Sequence, residues 1–339
     1  MPVELVPLGT QGLMVPRIGC GIMSAAFYSS GDPAKDEADQ LDALDELVAI
    51  CAPSPAFIDT AWIYGHPTGL HSEEIVGKAV AKHGRDKFVI ATKFGSVMPP
   101  AAPDSSTATI RAQYARSVER LGTAPDLYYQ HRPDLNRRIE GVMGDLKAMH
   151  AEGKFKFAGL SECTSSELRR AHAVFPVSAI QMEWSLAERS IEAAIVPACR
   201  ELGVGIVAYS PLARGLLTGA YTSRAELDKT DRRNMMPRWS DEGGALESNV
   251  ARFAALGEVA ARLGCTRAQV CLAWLCAKGA FPIPGSKTRA RVRENMGALG
   301  VRLGEADVAA LDAMDLKASG ARYAPAMTTH IFEAREGKE

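Results

Sequence analysis

The chain has 339 residues, of which 47% are hydrophobic and 23% are charged, and its formal net charge of -1 accompanies a sequence pI near 6.7. This balance excludes the overall positive field that attracts nucleic acid or an anionic membrane surface. The seven cysteines are scattered and never spaced C-x-x-C, which is typical of reduced thiols in a cytoplasmic protein. No uncharged stretch approaches the roughly 20 residues that span a bilayer, and the first residues lack the pattern of a secretory leader. We therefore expect a cytoplasmic location, with neither nucleic acid nor a membrane as a partner.

The first 23 residues predict a hairpin followed by a core strand. Residues 3–15 alternate apolar and polar around Thr10-Gln11-Gly12, which predicts a hairpin that could plug one end of a barrel. A strand from Arg17 to Met23 follows and contains Gly19-Cys20-Gly21. However, Ser24 stands where a dinucleotide fingerprint needs its third glycine, and a loop separates the strand from its helix. A doubly wound dinucleotide-binding sheet is therefore disfavoured.

Beyond residue 33, strand and helix patterns alternate. Short continuous apolar runs, typical of strands buried on both faces, predict strands at 56–59, 88–92, 126–130, 157–160, 179–182, 205–208 and 281–284. Helical periodicity predicts helices at 34–49, 72–82, 107–121, 138–151, 165–174, 191–202, 268–277 and 289–299. Counted from Arg17, this gives eight strands, each followed by a helix. The pattern predicts one (β/α)8 barrel domain over residues 1–339.

Two segments depart from the repeat. Residues from about 211 to 247 are rich in glycine, proline and charge, and a loop of this length is usually a lid or a binding loop. A disordered surface excursion is the alternative, against which the tryptophan and the prolines of the segment argue. Residues 305–315 predict an extra helix, and a C-terminal tail follows from about 316 to 339. Either the helix or the tail could lie over the mouth of the barrel.

Polar residues at three consecutive strand ends predict a catalytic site, because barrels of this kind carry their active sites at the C-terminal ends of the strands. Asp59 and Tyr64 follow one strand, and Lys93 and His131 end the next two. One such residue alone is more often a cap or a hydrogen-bonded, partly buried group, but four together favour a site. A phenol has a pKa near ~10, and an adjacent ammonium favours its phenolate form. We therefore expect Tyr64 to donate a proton, with Asp59 holding Lys93 charged and in place.

The sequence resembles the aldo-keto reductase superfamily from Gly19 to about Asp315. The motifs that carry the resemblance are Asp-Thr-Ala-x-x-Tyr-Gly from residue 59, Thr-Lys-Phe-Gly at 92–95, Gln-His-Arg at 130–132, Gly-Leu-Ser-Glu at 159–162, Gln-Met-Glu-Trp at 181–184, Tyr-Ser-Pro-Leu at 209–212 and Ile-Pro-Gly-Ser-Lys at 283–287. Residues 170–177 and 214–219 look most like the branch of plant auxin-induced and perakine-reductase-like enzymes and microbial pyridoxal reductases.

The resemblance implies a (β/α)8 fold in which NADPH reduces aldehydes and ketones without a metal. Asp59, Tyr64, Lys93 and His131 match the catalytic tetrad, in which Tyr64 is the general acid and His131 orients the carbonyl. The resemblance also implies cofactor contacts: Gly21, Met23, Asp59 and Gly285 at strand ends, Ser161 and Gln181 on the carboxamide, Tyr209 stacked on the nicotinamide, Ser210, Leu212 and Arg214 along the pyrophosphate, Ser286, Lys287 and Arg291 around the 2′-phosphate, and Glu294 and Asn295 at the adenine. Glu162 stands where much of the superfamily has asparagine.

Several alternatives remain open at this point. The cations Lys287, Arg289, Arg291 and Arg293 could form a solvated helix face and not a phosphate site. Phe27, Tyr28, Trp62 and Phe94 could form an aromatic substrate pocket or ordinary packing. A cofactor-binding regulatory subunit of the potassium-channel β type is the competing function, because it has the same fold. A Schiff-base role for Lys93 is disfavoured because Asp59 would raise the pKa of that lysine.

Overall fold

The computed structural model describes residues 2–23, 32–65, 69–97, 101–229, 231–324 and 328–338. Strands β1 (Leu5–Pro7) and β2 (Met14–Pro16) pair antiparallel in a two-stranded sheet, as predicted for the hairpin. Between them, the Thr10 N–H donates to the Gly203 carbonyl at 2.8 Å, and Leu8 is fully buried in the same apolar cluster as residues of six strands of the main sheet. The hairpin therefore packs against one end of the main sheet.

Eight parallel strands form a curled sheet whose order follows the sequence. They are β3 (Cys20–Gly21), β4 (Ala56–Asp59), β5 (Phe88–Phe94), β6 (Leu127–Gln130), β7 (Phe157–Ser161), β8 (Val177–Glu183), β9 (Gly205–Tyr209) and β10 (Phe281–Pro282). The first and last strands also meet, because Gly21 forms a parallel bridge with Gly285 and the Gly19 N–H donates to Pro282 at 3.0 Å. This topology is consistent with a (β/α)8 barrel and differs from a doubly wound sheet.

Helices connect and cover the strands. They are α1 (Pro33–Cys51), α2 (Ser72–His83), α3 (Thr107–Leu121), α4 (Ile139–Ala151), α5 (Ser165–Val174), α6 (Ile195–Leu202), α7 (Ala245–Phe253), α8 (Leu256–Leu263), α9 (Arg267–Ala277), α10 (Arg289–Gly297), α11 (Glu305–Ala313) and α12 (Phe332–Arg335). Helices α5 and α9 begin at capping boxes formed by Thr164 and Thr266, which satisfy the first free N–H groups. Among the residues that the structure describes, no helix combines the length and the apolarity needed to cross a membrane.

The segment between β9 and α9 differs most from the prediction. Helices α7 and α8 were not predicted, and short 3₁₀ turns occupy much of the preceding loop. Trp239 is fully buried in the main apolar cluster, and Arg238 is 8% exposed. A disordered surface excursion is therefore wrong for this part of the loop, whereas its role as a lid stays a prediction. The first core strand is also shorter than predicted and contains only Cys20–Gly21.

Candidate active site

Four polar side chains meet at the C-terminal ends of β4, β5 and β6. Asp59 is the last residue of β4, Lys93 lies near the end of β5, and His131 directly follows β6. Tyr64 lies in the turn after β4, where its N–H donates to the Ala61 carbonyl at 3.0 Å. The ring centroids of Tyr64 and His131 are 5.6 Å apart, and the Lys93 Nζ lies 5.0 Å from the Tyr64 centroid. The structure thus brings together the four residues that the sequence places on one rim.

Lys93 and Asp59 form a buried ion pair whose side chains are only 0% and 3% exposed. The Lys93 ammonium also donates to the Thr60 carbonyl at 2.8 Å, and the Gln181 amide donates to the second Asp59 oxygen at 2.7 Å. Burial raises the pKa of Asp59, while Lys93 and Gln181 act in the opposite direction by favouring the carboxylate. These bonds fix the ammonium beside the Tyr64 ring.

Burial also decides the state of Tyr64. It raises the pKa of the phenol above the ordinary tyrosine value, although the Lys93 ammonium acts in the opposite direction. Lys93 therefore favours the phenolate, as expected, but the cost of burying a phenolate is larger, so the net pKa of Tyr64 in the resting protein is raised. A phenol with a raised pKa stays protonated through the neutral range, so it remains available as a proton donor.

His131 is a neutral imidazole at the same rim. Burial, followed by the charges of Arg132 and Lys93, holds the pKa of His131 well below its usual value. The side chain is 8% exposed, and its Nδ1 has no hydrogen-bond partner among the described residues. A neutral imidazole can donate one hydrogen bond and accept another, which suits it to orient a carbonyl group beside Tyr64.

A set of hydrogen bonds behind the rim fixes the Tyr64 turn. The Ser72 N–H donates to the Tyr64 carbonyl at 3.1 Å. The fully buried Glu73 accepts a hydrogen bond from Thr92 of β5 at 2.6 Å and pairs with Arg120 at 3.2 Å. Sequence reasoning missed this support, although the polar run that opens α2 directly after the turn was the available signal.

The strand ends across the mouth carry a second polar group. Ser161 ends β7 and is 1% exposed, and its hydroxyl accepts a hydrogen bond from Arg132 at 3.4 Å. Tyr209 ends β9, and its hydroxyl donates to the Glu162 carboxylate at 2.7 Å. Ser161, Gln181 and Tyr209 therefore all lie at the strand ends of the mouth, but Gln181 and Tyr209 already hydrogen-bond to protein carboxylates.

The loop after β9 has an uncommon backbone conformation. Ser210, Ala213 and Arg214 have φ values of 48°, 47° and 59°. Residues with a Cβ rarely adopt this left-handed region, and such strain is concentrated at functional sites. Leu212, half-buried between them, packs against two apolar clusters of the core. This shape fits a loop that closely follows a bound ligand.

The C-terminal tail lies at the mouth, one of the two possibilities that the sequence left open, and its contact with Glu162 was not predicted. Glu162 is fully buried and accepts hydrogen bonds from the Arg322 guanidinium at 2.7 Å and from the Phe332 N–H at 3.0 Å. Burial opposes ionisation of Glu162, but the charges of Arg322 and then Arg132 lower its pKa to about 2. The Tyr323 hydroxyl, also from the tail, lies 3.1 Å from the Tyr209 hydroxyl. The tail therefore lies against the strand ends at the mouth.

The loop between β10 and α10 contains the predicted phosphate-binding residues. Ser286 is buried, and its hydroxyl accepts a hydrogen bond from Asn295 at 2.9 Å. Lys287 forms an ion pair with the buried Asp36 of α1 at 2.9 Å, whereas Arg291 is exposed. Glu294 is half-buried and its carbonyl accepts a hydrogen bond from α9.

The other cations of α10 form ion pairs with acidic residues of α1. Arg289 pairs with Asp42 at 2.5 Å and with Glu46 at 3.0 Å, and Arg293 pairs with Glu46 at 2.7 Å. These two arginines therefore serve the contact between α10 and α1. Arg289 and Arg293 therefore belong to the helix face that was the alternative to a phosphate site. Any phosphate site in this loop depends on Ser286, Lys287 and Arg291.

The Aldo/keto reductase family model matches residues 17–316 of the chain. The chain belongs to the aldo-keto reductase family. Its fold is similar to that of the glycerol dehydrogenase AKR11B4 from Gluconobacter oxydans, with a TM-score of 0.75 and 26% identity over 93% of this chain and 95% of that chain. A thermostable aldo-keto reductase solved with the inhibitor epalrestat shares the fold at a TM-score of 0.70 and 24% identity, over 91% of this chain and 99% of that chain.

Family membership implies an oxidoreductase that uses a nicotinamide cofactor and acts on small carbonyl compounds. These matches favour an enzyme over the channel-subunit alternative. The strand ends of this aldo-keto reductase fit such a cofactor, because they combine buried polar side chains with the strained loop after β9. Gly21 adds close backbone packing, since a Cβ there would lie 2.9 Å from the Ile283 carbonyl oxygen. Gly285 is exposed beside it.

The aromatic residues proposed for the substrate pocket have different surroundings. Trp62 and Met23 are half-buried and pack against the small apolar cluster of Ala61, Ile63 and Tyr64, so they lie near the tetrad. Phe94 is fully buried, and its ring centroid lies 4.9 Å from that of Tyr128 in the main core. Its assignment to the pocket is therefore wrong, because it ends β5 with its ring against core residues. Phe27 and Tyr28 lie outside the described residues.

Proposed function

We propose that this protein is an NADPH-dependent reductase of aldehydes and ketones. The observation that carries the proposal is the meeting of Tyr64, Lys93, Asp59 and His131 at one mouth, with a protonated phenol beside a buried ammonium. Bound NADPH would supply a hydride to the carbonyl carbon. The residues that would hold it are Gly21, Met23, Asp59, Ser161, Gln181, Tyr209, Ser210, Leu212, Arg214, Gly285, Ser286, Lys287, Arg291, Glu294 and Asn295.

The chain's own residues account for the proton. The neutral His131 ring orients the carbonyl oxygen toward Tyr64, whose phenol donates its proton to that oxygen. The phenolate that remains is stabilised by the Lys93 ammonium, since opposite charges attract strongly in a site with little water. Asp59 keeps the ammonium charged and in place through their buried ion pair. Each residue therefore has a role that its surroundings support.

Tyr64→Phe is the direct test, because it removes the proton donor and little else. General acid catalysis contributes ~10²–10⁴-fold, so we expect aldehyde-dependent NADPH oxidation to fall by at least ~10²-fold. NADPH binding, followed by protein fluorescence, should stay unchanged. A loss smaller than about tenfold would remove Tyr64 from this role.

We further propose that Lys287 and Arg291 favour NADPH over NADH by binding its 2′-phosphate. A charge-assisted contact to phosphate is worth roughly 1.5–3 kcal/mol, so Lys287→Ala or Arg291→Ala should weaken NADPH about ten- to a hundredfold and scarcely change NADH. Arg293→Ala is the matched control, because Arg293 pairs with Glu46 on the same helix. Isothermal titration with both cofactors gives the answer. Equal losses of affinity for NADPH and NADH would mean that these residues only hold the loop in place, which Lys287 would do through its ion pair with Asp36.

The finer placement of the enzyme is also a proposal. The motifs at 170–177 and 214–219 support the branch of auxin-induced, perakine-reductase-like and pyridoxal-reductase-like enzymes. One structural neighbour is a glycerol dehydrogenase, so glycerol oxidation with NADP⁺ belongs beside pyridoxal and simple aldehydes in a substrate panel. The ranking of kcat/KM across that panel tests the placement.

A further inference from the structure

Arg132 lies between the tetrad and the strand ends across the mouth. It directly follows His131, and its partly exposed guanidinium donates to the His131 carbonyl at 2.9 Å. The same group lies 3.4 Å from the hydroxyls of Ser161 and Tyr323, and its Cζ is 5.9 Å from the Tyr209 ring centroid. A small molecule held by His131 and Tyr64 would therefore lie close to a fixed positive charge.

The partners of Arg132 differ from those of other cations around this mouth. Ion pairs join Lys93 to Asp59, Arg238 to Glu183 and Glu188, Arg322 to Glu162, and Arg335 to Glu167. In the described part of the chain, the hydrogen bonds of Arg132 run only to neutral oxygens. Glu162 is close enough to be influenced by the Arg132 charge, but its carboxylate oxygens accept their bonds from other donors.

This difference matters because of guanidinium chemistry. A guanidinium offers a planar fork of N–H groups that matches the two oxygens of a carboxylate or phosphate. A charge that is partly removed from water gains by meeting such a partner. Arg132 has the charge and the position beside the tetrad, and its hydrogen-bond partners among the described residues are all neutral, so a substrate can supply anionic oxygens.

We propose that Arg132 recognises an anionic oxygen group on the carbonyl substrate, so that this enzyme prefers aldehydes or ketones that carry a carboxylate or a phosphate. The inference rests on the proposed function, because only a carbonyl held at Tyr64 and His131 brings that group to Arg132. It narrows the substrate class to oxo acids and phosphorylated carbonyl compounds. The competing explanation, called bracing below, is that Arg132 only holds the turn at His131 and the tail residue Tyr323 in place and contacts no substrate.

The test compares the three isomeric carboxybenzaldehydes with their methyl esters, at low ionic strength and with NADPH. The esters are at least as electron-poor, so intrinsic reactivity does not favour the acids. We expect the wild-type protein to reduce one or more acids with a kcat/KM about ten- to a hundredfold above that of the ester. Arg132→Met should abolish this advantage, so kcat/KM should fall about ten- to a hundredfold more for the acid than for its ester. Glyceraldehyde 3-phosphate against glyceraldehyde repeats the comparison for phosphate.

Two further variants separate recognition from bracing. Arg132→Lys keeps the charge without the fork, so it should retain part of the preference for acids. Arg138→Met is the matched control, because Arg138 is 82% exposed and pairs with Glu140 at 3.0 Å; it should leave both substrates unchanged. Equal losses for acid and ester in Arg132→Met, or a wild-type preference for every ester, would overturn the proposal in favour of bracing.

If Arg132→Met does not fold, an inhibition measurement on the wild-type protein tests the proposal instead. Benzoate should inhibit reduction of a neutral aldehyde competitively by the wild-type protein, and benzamide should not; inhibition by both alike would overturn the proposal. If the wild-type protein reduces no carbonyl compound at all, the proposed function fails. Titration of the NADP⁺-loaded protein with benzoate would then still report on Arg132 by itself.

Discussion

Two buried ion pairs lie at the mouth, and they differ in how the fold brings their two partners together. The side chains of Lys93 and Asp59 are 0% and 3% exposed, and those of Arg322 and Glu162 are 3% and 0% exposed. The first pair joins neighbouring strands across 34 positions of sequence, whereas the second joins a strand end to the tail across 160 positions. The sheet itself fixes the first pair, but the second exists only while the tail is docked. Catalysis and tail docking should therefore respond separately to substitution.

Breaking the first pair should have the largest effect. Lys93→Met removes the cation that stabilises the Tyr64 phenolate, so kcat should fall by about 10²–10⁴-fold. It also leaves Asp59 buried without its ion-pair partner, which costs about 3–5 kcal/mol of folding free energy. Turnover assays and chemical denaturation measure the two effects.

The double variant Lys93→Met with Asp59→Asn is the control for that prediction. It removes both charges, so most of the lost folding free energy should return, because a buried pair replaced as a unit is often neutral in stability. Activity should stay low in the double variant. If activity returned together with stability, Lys93 would be a structural residue and not part of the proton relay.

Breaking the second pair should reduce stability more than chemistry. Arg322→Met leaves the Glu162 carboxylate buried without its main cation, at a cost of about 3–5 kcal/mol. We expect faster proteolysis after residue 316 and a higher KM for the carbonyl substrate, with kcat lowered by less than about tenfold. A kcat loss as large as that of Lys93→Met would place Arg322 in the catalytic machinery and end the contrast between the pairs.

The lowered pKa of Glu162 predicts an acid-sensitive tail. A carboxyl group whose folded pKa is about 2 contributes stability above its ordinary value near 4.5, and this contribution is lost as the pH falls toward about 2. The full contribution is roughly 3 kcal/mol. Denaturation of the wild-type protein and of Arg322→Met across this acid range isolates the contribution of Glu162. The variant should lose less stability than the wild-type protein as the pH falls. Parallel acid slopes would show that Glu162 is not the responsible group.

The smallest expected effect is an absence of titration near neutral pH. The pKa of His131 in the folded protein lies well below its value in the unfolded chain. The contribution of its neutral form to stability is therefore present above the unfolded pKa and is lost as the pH falls below it. Tyr64 has a raised pKa and stays protonated. The kcat/KM profile should therefore be flat between about pH 6.5 and pH 9, without a limb at the ordinary histidine value. A limb near pH 6.5 that disappears in His131→Gln would contradict this state.

The sequence predicted the sheet well because its signals are local. Strands buried on both faces read as continuous apolar runs, and β4 has the predicted ends, 56–59. The tetrad followed from strand order, since parallel neighbours end on one rim. Phe94 failed as a pocket residue because alternation along β5 places Lys93 and Phe94 on opposite faces, and sequence reasoning assigned both to the mouth.

Non-local contacts explain the remaining failures. Helix α7 starts directly after Gly243 and Gly244, both with positive φ, and this glycine pair reads as loop in sequence. Arg322 and Tyr323 follow Gly320 in a segment without helical or strand periodicity. Their contact with Glu162 depends on the folded position of the tail, and no local pattern encodes a partner 160 positions away.

The distance in sequence between Glu162 and Arg322 also orders events during synthesis. When β7 emerges from the ribosome, Glu162 has water as its only partner, and the arginine that will neutralise it has not been made. Contacts of such long range form late because the closure entropy of the intervening chain must be overcome first. The mouth is therefore finished after the sheet. A chain that stops before Arg322 should assemble most of its core and still lack one wall of its site, so fusions and truncations at the C-terminus act on this enzyme's mouth as directly as mutations inside it.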